Sequence, residues 1–99
     1  MIKKLRYLLF SFCILFLFSS HGFSNSIEEI IDDAKSAYDN EDYSEVVKIL
    51  SELDDKNDEA YNYLARSFYY LEQYDEAIKN FLNCSPDYLD CKTGLARVY

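Results

Sequence analysis

The chain has 99 residues, with 18 Asp+Glu against 10 Lys+Arg for a formal net charge of -8; 49% of it is hydrophobic and 17% aromatic. That length accommodates one small domain at most, and so apolar a chain does not stay unfolded as a whole. Residues 25–99 hold 18 acidic and 7 basic side chains, a net of -11, which excludes nucleic acid as a partner because phosphate contacts need clustered Lys and Arg.

In chain order, the first element is an address. Met1–Arg6 carries Lys3, Lys4 and Arg6; Tyr7–Phe18 is an apolar run of 12 residues; Ser19, Ser20, His21, Gly22, Phe23 and Ser24 follow. Basic start, short apolar stretch and small residues make the three-part pattern of a secretory signal peptide over residues 1–24. The run is shorter than the roughly 20 residues of a bilayer span. Cleavage is expected after Ser24, with Gly22 as the alternative and an uncleaved membrane anchor as the competing reading. Cys13 lies inside the apolar run behind Phe12, which disfavours lipidation. The mature chain is then an exported protein of the periplasm or exterior, with no membrane insertion and, once His21 has left, no histidine.

Residues 25–99 repeat with a period of 31. The shift aligns Ala34, Ala65 and Ala96, and pairs Tyr43 with Tyr74, Glu45 with Glu76, Lys48 with Lys79 and Leu50 with Phe81. The units are 27–57, 58–88 and a partial 89–99. In the first, Ser26 is a good N-cap ahead of Glu28 and Glu29, and Ile27, Ile30, Ile31, Ala34 and Ala37 form a helical stripe. Val46, Val47 and Leu50 form a second one. In the second unit Tyr61, Leu64, Ala65, Phe68 and Leu71 make one stripe. The period breaks at Leu71–Tyr74 and resumes at Tyr74, Ala77, Ile78 and Phe81, until Ser85–Pro86 punctuates it. The fold class is therefore all-α, two helix pairs and a half unit. Small Ala34 and Ala65 would let helices approach, with Tyr43 and Tyr74 wedged beside them. A lone helical pair cannot cover its apolar faces, so the units must stack.

The unit Asp58–Cys84 resembles the tetratricopeptide repeat. Tyr61, Leu64, Ala65 and Phe68 match its first helix; Tyr74, Ala77, Phe81, Cys84 and Pro86 match its second. The first unit is a looser copy through Ile30, Ala34, Ala37, Tyr43, Val46, Leu50 and Leu53, and the third supplies Leu95, Ala96 and Tyr99. The resemblance implies a right-handed solenoid of helix pairs that binds a protein or peptide partner in a concave groove, as a scaffold or adaptor. The departures are a period of 31 where the family has 34, Glu41 and Glu72 at its turn glycine, Asp33 where Leu64 and Leu95 stand, and Lys92 in place of a large residue.

Without histidine no Ser-His or Cys-His arrangement exists, and Gly94, the sole mature glycine, cannot build a phosphate loop. No enzyme activity, cofactor or metal is expected. The run Asp54, Asp55, Asn57, Asp58, Glu59 lacks the Gly and Glu that a calcium loop needs at its sixth and twelfth positions, which are Ala60 and Arg66. It reads as a turn before an acid-rich helix start. Cys84 and Cys91 flank the Pro86 turn. They form a structural bridge, or Cys84 packs as a small core residue with Cys91 free; a redox accessory built on the pair is the alternative to a scaffold.

The sharpest functional feature is a basic ladder, Lys35, Arg66 and Arg97, at the repeat period. Asp32 and Asp39 lie within helical reach of Lys35. Arg66 has Asn62, Tyr63, Tyr69 and Tyr70 three or four residues away, and no acid there. By resemblance this helix position faces the groove, so Lys35, Asn62, Arg66, Tyr69, Tyr70 and Arg97 are the candidate partner-binding residues. Asn62 and Arg66 match the family's carboxylate clamp. Alternatively Arg66 stacks on its own tyrosines or pairs with Glu28 or Asp32. Leu95 and Tyr99 are expected to be exposed at the C-terminal face, where a second copy would dock to form a homodimer, a partner would bind, or a longer repeat array would continue.

Overall fold

The computed structural model describes residues 26–99; the expected signal peptide, with Cys13 and His21, lies outside the described residues. Five helices and no strands make up the described part: α1 (Ile27–Asp39), α2 (Tyr43–Ser51), α3 (Asp58–Tyr70), α4 (Tyr74–Leu82) and α5 (Leu89–Val98). Their starts at 27, 58 and 89, and at 43 and 74, reproduce the 31-residue period. First helices have 13 residues in both full units and second helices 9. No helix among the described residues is long and apolar enough to cross a membrane.

Caps define the helix starts. Ser26 Oγ accepts from Glu29 N–H at 3.3 Å, Asp42 Oδ1 from Glu45 N–H at 3.3 Å, and Asn57 Oδ1 from Ala60 N–H at 2.8 Å. Gln73, the repeat equivalent of Asp42, makes no such bond. Between paired helices the chain reverses in a three-residue turn. Asp42 N–H reaches Ala37 C=O and Glu41 N–H reaches Tyr38 C=O, both at 2.9 Å. Gln73 and Glu72 repeat the pattern onto Phe68 and Tyr69. These are Schellman bonds, which require a left-handed residue after the helix. Glu41 at φ 61° and Glu72 at φ 63° fill that role.

Each helix packs on the next in sequence, and α1 also packs on α3, and α3 on α5, whereas α2 and α4 do not meet. First helices thus form one layer and second helices the other, a packing compatible with a helical solenoid. One core cluster joins Ile31 and Ala34 of α1, Val46 and Leu50 of α2, and Ala60 and Leu64 of α3. The other joins Ala65, Ala77, Phe81, Cys84 and Cys91, and Phe68 packs against both. Equivalent positions Ala34 and Ala65, Val46 and Ala77, and Leu50 and Phe81 are all buried, so the sequence repeat is a repeat of packing.

Two expectations change. Tyr43 and Tyr74 do not wedge beside the alanines: they start their helices, join neither core cluster, and Tyr74 is 47% exposed. Their rings stay at the rim of the core, Tyr43 half-buried and Tyr74 exposed. Leu95 is half-buried instead of exposed, because like Leu64 it faces the preceding unit. Asp33 is exposed, and so are Glu29 and Asp32, whose equivalents Ala60 and Tyr63 pack against the first unit. With no helix of the described part before α1, this face is in water, where carboxylates belong.

Candidate functional site

The surface begins with α3. Its 13 residues turn Asn62, Arg66, Tyr69 and Tyr70 to one side, three or four residues apart. Asn62 is 5% exposed, and its Oδ1 accepts from Arg66 Nε at 3.0 Å. That bond fixes the guanidinium stem and leaves its remaining N–H groups for other acceptors. Among the described residues the one ion pair is Lys35–Glu59, so no carboxylate lies within 4 Å of Arg66. The pairing with Glu28 or Asp32 is therefore not made. Instead Arg66 lies against Tyr38 of α1, whose hydroxyl is pushed above its ordinary pKa chiefly by burial, with Arg66 pulling the other way and Tyr70 adding to the rise.

Two depressions flank Arg66. A cavity of about 10 Å³, room for one water, is lined by Arg66, Tyr69, Tyr70, Phe81, Gly94 and Arg97. A shallow concavity of about 280 Å³ is lined by Tyr38, Asn62, Tyr63, Arg66 and Asp90. Four of the six predicted groove residues thus meet around the first depression, and Asn62 joins Arg66 at the second. Lys35 is set apart. Its Nζ is 3.5 Å from Glu59 and 5.9 Å from the centre of the Tyr63 ring. Glu59 is the main cause of its raised pKa. Of the helical neighbours, neither Asp32 nor Asp39 forms an ion pair with it, and Asp32 adds only a smaller rise. Arg97 is exposed on α5.

The tyrosines form a continuous aromatic cluster, in which Tyr38, Tyr43 and Tyr70 meet one another and Tyr63, Tyr69 and Tyr74 extend it. Ring centres are 5.1 Å apart for Tyr38–Tyr63, 6.3 Å for Tyr38–Tyr70, 5.5 Å for Tyr69–Tyr70 and 5.6 Å for Tyr69–Tyr74, with interplanar angles of 60–82°. Tyr43 stacks on Tyr70 at 4.6 Å and 17°. The sequence marks Tyr63 only as a helical neighbour of Arg66 and sets Tyr43 and Tyr74 beside the alanines; Tyr38 and Asp90 are added here by the fold. The period itself carries the signal for Tyr38, which stands 31 residues before Tyr69.

Cys84 and Cys91 bring their sulfurs to bonding distance, with Cα atoms 6.4 Å apart across seven residues of sequence. Both are buried, 8% and 2% exposed. Ser85 N–H donates to Asp58 Oδ1 at 2.8 Å, tying the turn after α4 to the start of α3. The acid-rich run around Asp55 therefore contributes a cap through Asn57 and a turn anchor through Asp58. No three His, Cys, Asp or Glu side chains converge among the described residues.

Site and fold together describe an all-helical protein whose helix pairs pack in a manner compatible with a solenoid, with an aromatic, arginine-bearing face. Compared with known protein families, curated proteins and solved structures, the chain matches none.

Proposed function

We propose that the chain is a non-catalytic interaction module of tetratricopeptide type, holding a peptide segment of a partner protein across the layer of first helices. Arg66 carries this reading: a half-buried guanidinium oriented by Asn62, bordered by tyrosines of two units and not neutralised by a carboxylate within 4 Å. Aromatic rings around an arginine are the residue types that dominate the energy of protein interfaces. A random peptide library displayed against the full chain tests it. Selected peptides should lose binding to Arg66→Glu while helicity is unchanged; peptides that bind wild type and Arg66→Glu alike, or none selected, would refute it.

The signal-like sequence pattern of residues 1–24 and the approach of the two cysteines support a reading in which the protein sits in an oxidising envelope compartment with Cys84–Cys91 as a structural bridge. Burial of both sulfurs speaks against a redox accessory, which must expose a thiol to its substrate. Intact mass of the protein from its own cells decides: a species beginning at residue 25, two hydrogens light and resistant to alkylation, is expected. Retained residues 1–24, or free thiols, would overturn this placement.

A further inference from the structure

Resting on that reading of the surface as a peptide groove, we infer that the segment it takes is proline-rich and extended, a polyproline II helix laid along Tyr63, Tyr38, Tyr70, Tyr69 and Tyr74.

The first argument is the shape of the aromatic chain. Successive rings are 5.1–6.3 Å apart and turned 60–82° against one another. Rings so turned make ridges and not a flat shelf, with the parallel Tyr43–Tyr70 stack as the exception. A polyproline II helix rises about 3.1 Å per residue, so two residues advance about 6 Å, close to one ring step. Tyr70 and Tyr74 are 46% and 47% exposed, and the others half-buried, so the chain of rings is accessible and also anchored.

The second argument is the hydrogen-bonding sign of the surface. Arg66 has donors and no acceptor, one of them spent on Asn62. Arg97 adds a second guanidinium beside Tyr69 and Tyr70. The phenols of Tyr38 and Tyr43, raised above their ordinary pKa chiefly by burial, are hydroxyls that donate as well as accept, and that of Tyr38 already meets Arg66 and Tyr70. A donor-rich surface suits a ligand rich in acceptors. Proline has no N–H, and the carbonyls of a polyproline II helix make no internal bonds. A helical ligand has satisfied its own carbonyls, and a strand needs a sheet edge, which the described residues lack.

The third argument is cost and charge. The depressions are shallow, and a preformed ligand loses little conformational freedom on docking. Glu41 lies beside Tyr43, Glu72 beside Tyr74, and Asp90 in the concavity with Arg66. Lysine or arginine flanking the prolines would therefore be attracted to the rim.

The test is a titration of the full chain with a decaproline peptide carrying one lysine at each end and blocked termini, followed by calorimetry and tyrosine fluorescence. A glycine-serine peptide of equal length and charge is the control. Saturable binding of the proline peptide alone, weakened about tenfold or more by Tyr70→Ala and by Tyr74→Ala, is expected. Both side chains are well exposed, so the fold should survive the two changes. Equal binding of the control, no saturation at millimolar peptide, or saturation by a chito-oligosaccharide in place of the peptide would overturn the inference. Should the proline peptide fail while library peptides bind in an Arg66-dependent way, the proline assignment falls and the peptide groove stands. Failure of both sinks the groove as well.

Discussion

Glu41 and Glu72, one repeat apart, hold the same left-handed backbone conformation, φ 61° and φ 63°, at the turn between the helices of each pair. A side chain in that region costs roughly 1–2 kcal/mol, a strain that glycine escapes, at the expense of a floppier unfolded chain. Both glutamates are exposed, and neither forms an ion pair among the described residues. Glu72→Gly is therefore expected to stabilise the chain by about 0.5–1 kcal/mol, and the double change with Glu41→Gly by about twice that. Denaturant unfolding would show it as a higher midpoint at unchanged slope; a lower midpoint would mean the carboxylates have a structural role.

The turn also shows what was legible in the sequence. The 31-residue spacing of Ala34 and Ala65, and of Leu50 and Phe81, reports positions that every unit must bury, so helices and core followed from it. Contacts between units are a different matter. Lys35 meets Glu59, 24 residues on, a pairing that depends on how α1 lies against α3 and not on the neighbours of Lys35 within its own helix. The stack of Tyr43 on Tyr70 is hidden for the same reason. Asp33, in the position of Leu64 and Leu95, was legible as a departure from the period, and it lies exposed on the outer face of α1. Arg66 and Asn62 were legible because they are four apart on one helix.

Ser67 is wholly buried, and its Oγ has no hydrogen-bond partner. An unpaired buried hydroxyl costs about 1–3 kcal/mol, and alanine is also the better helix former. Ser67→Ala should raise stability by about 1 kcal/mol. A thermal melt that falls would show that the hydroxyl bonds a backbone carbonyl of its own helix.

Cys84 ends one core cluster and Cys91 anchors α5 to it. A disulfide between them closes a short loop, for which chain-entropy reasoning gives about 2–3 kcal/mol of stabilisation when it is formed. Reduction, or Cys84→Ala with Cys91→Ala, is expected to lower the unfolding free energy by about that amount. The loss should fall first on α5, visible as faster amide exchange at Gly94 and Leu95 than in α1. Equal stability with and without reductant would remove the bridge from the account.

Gly94 lies where α5 crosses α4, and a Cβ added there would run into the Phe81 ring. Two effects oppose each other in Gly94→Ala. Helix propensity favours alanine by about 1 kcal/mol. Overpacking costs about 1–3 kcal/mol, and Phe81, 4% exposed in its cluster, has little room to move. The steric term should win, leaving the variant destabilised by up to about 2 kcal/mol and the cavity under Arg66 and Arg97 distorted. A second change separates the terms: Phe81→Leu is expected to cost stability in the wild-type background and much less beside Ala at 94, because the smaller side chain admits the methyl. Additive costs in that double-mutant cycle would mean that Gly94 is needed for some reason other than the approach of Phe81.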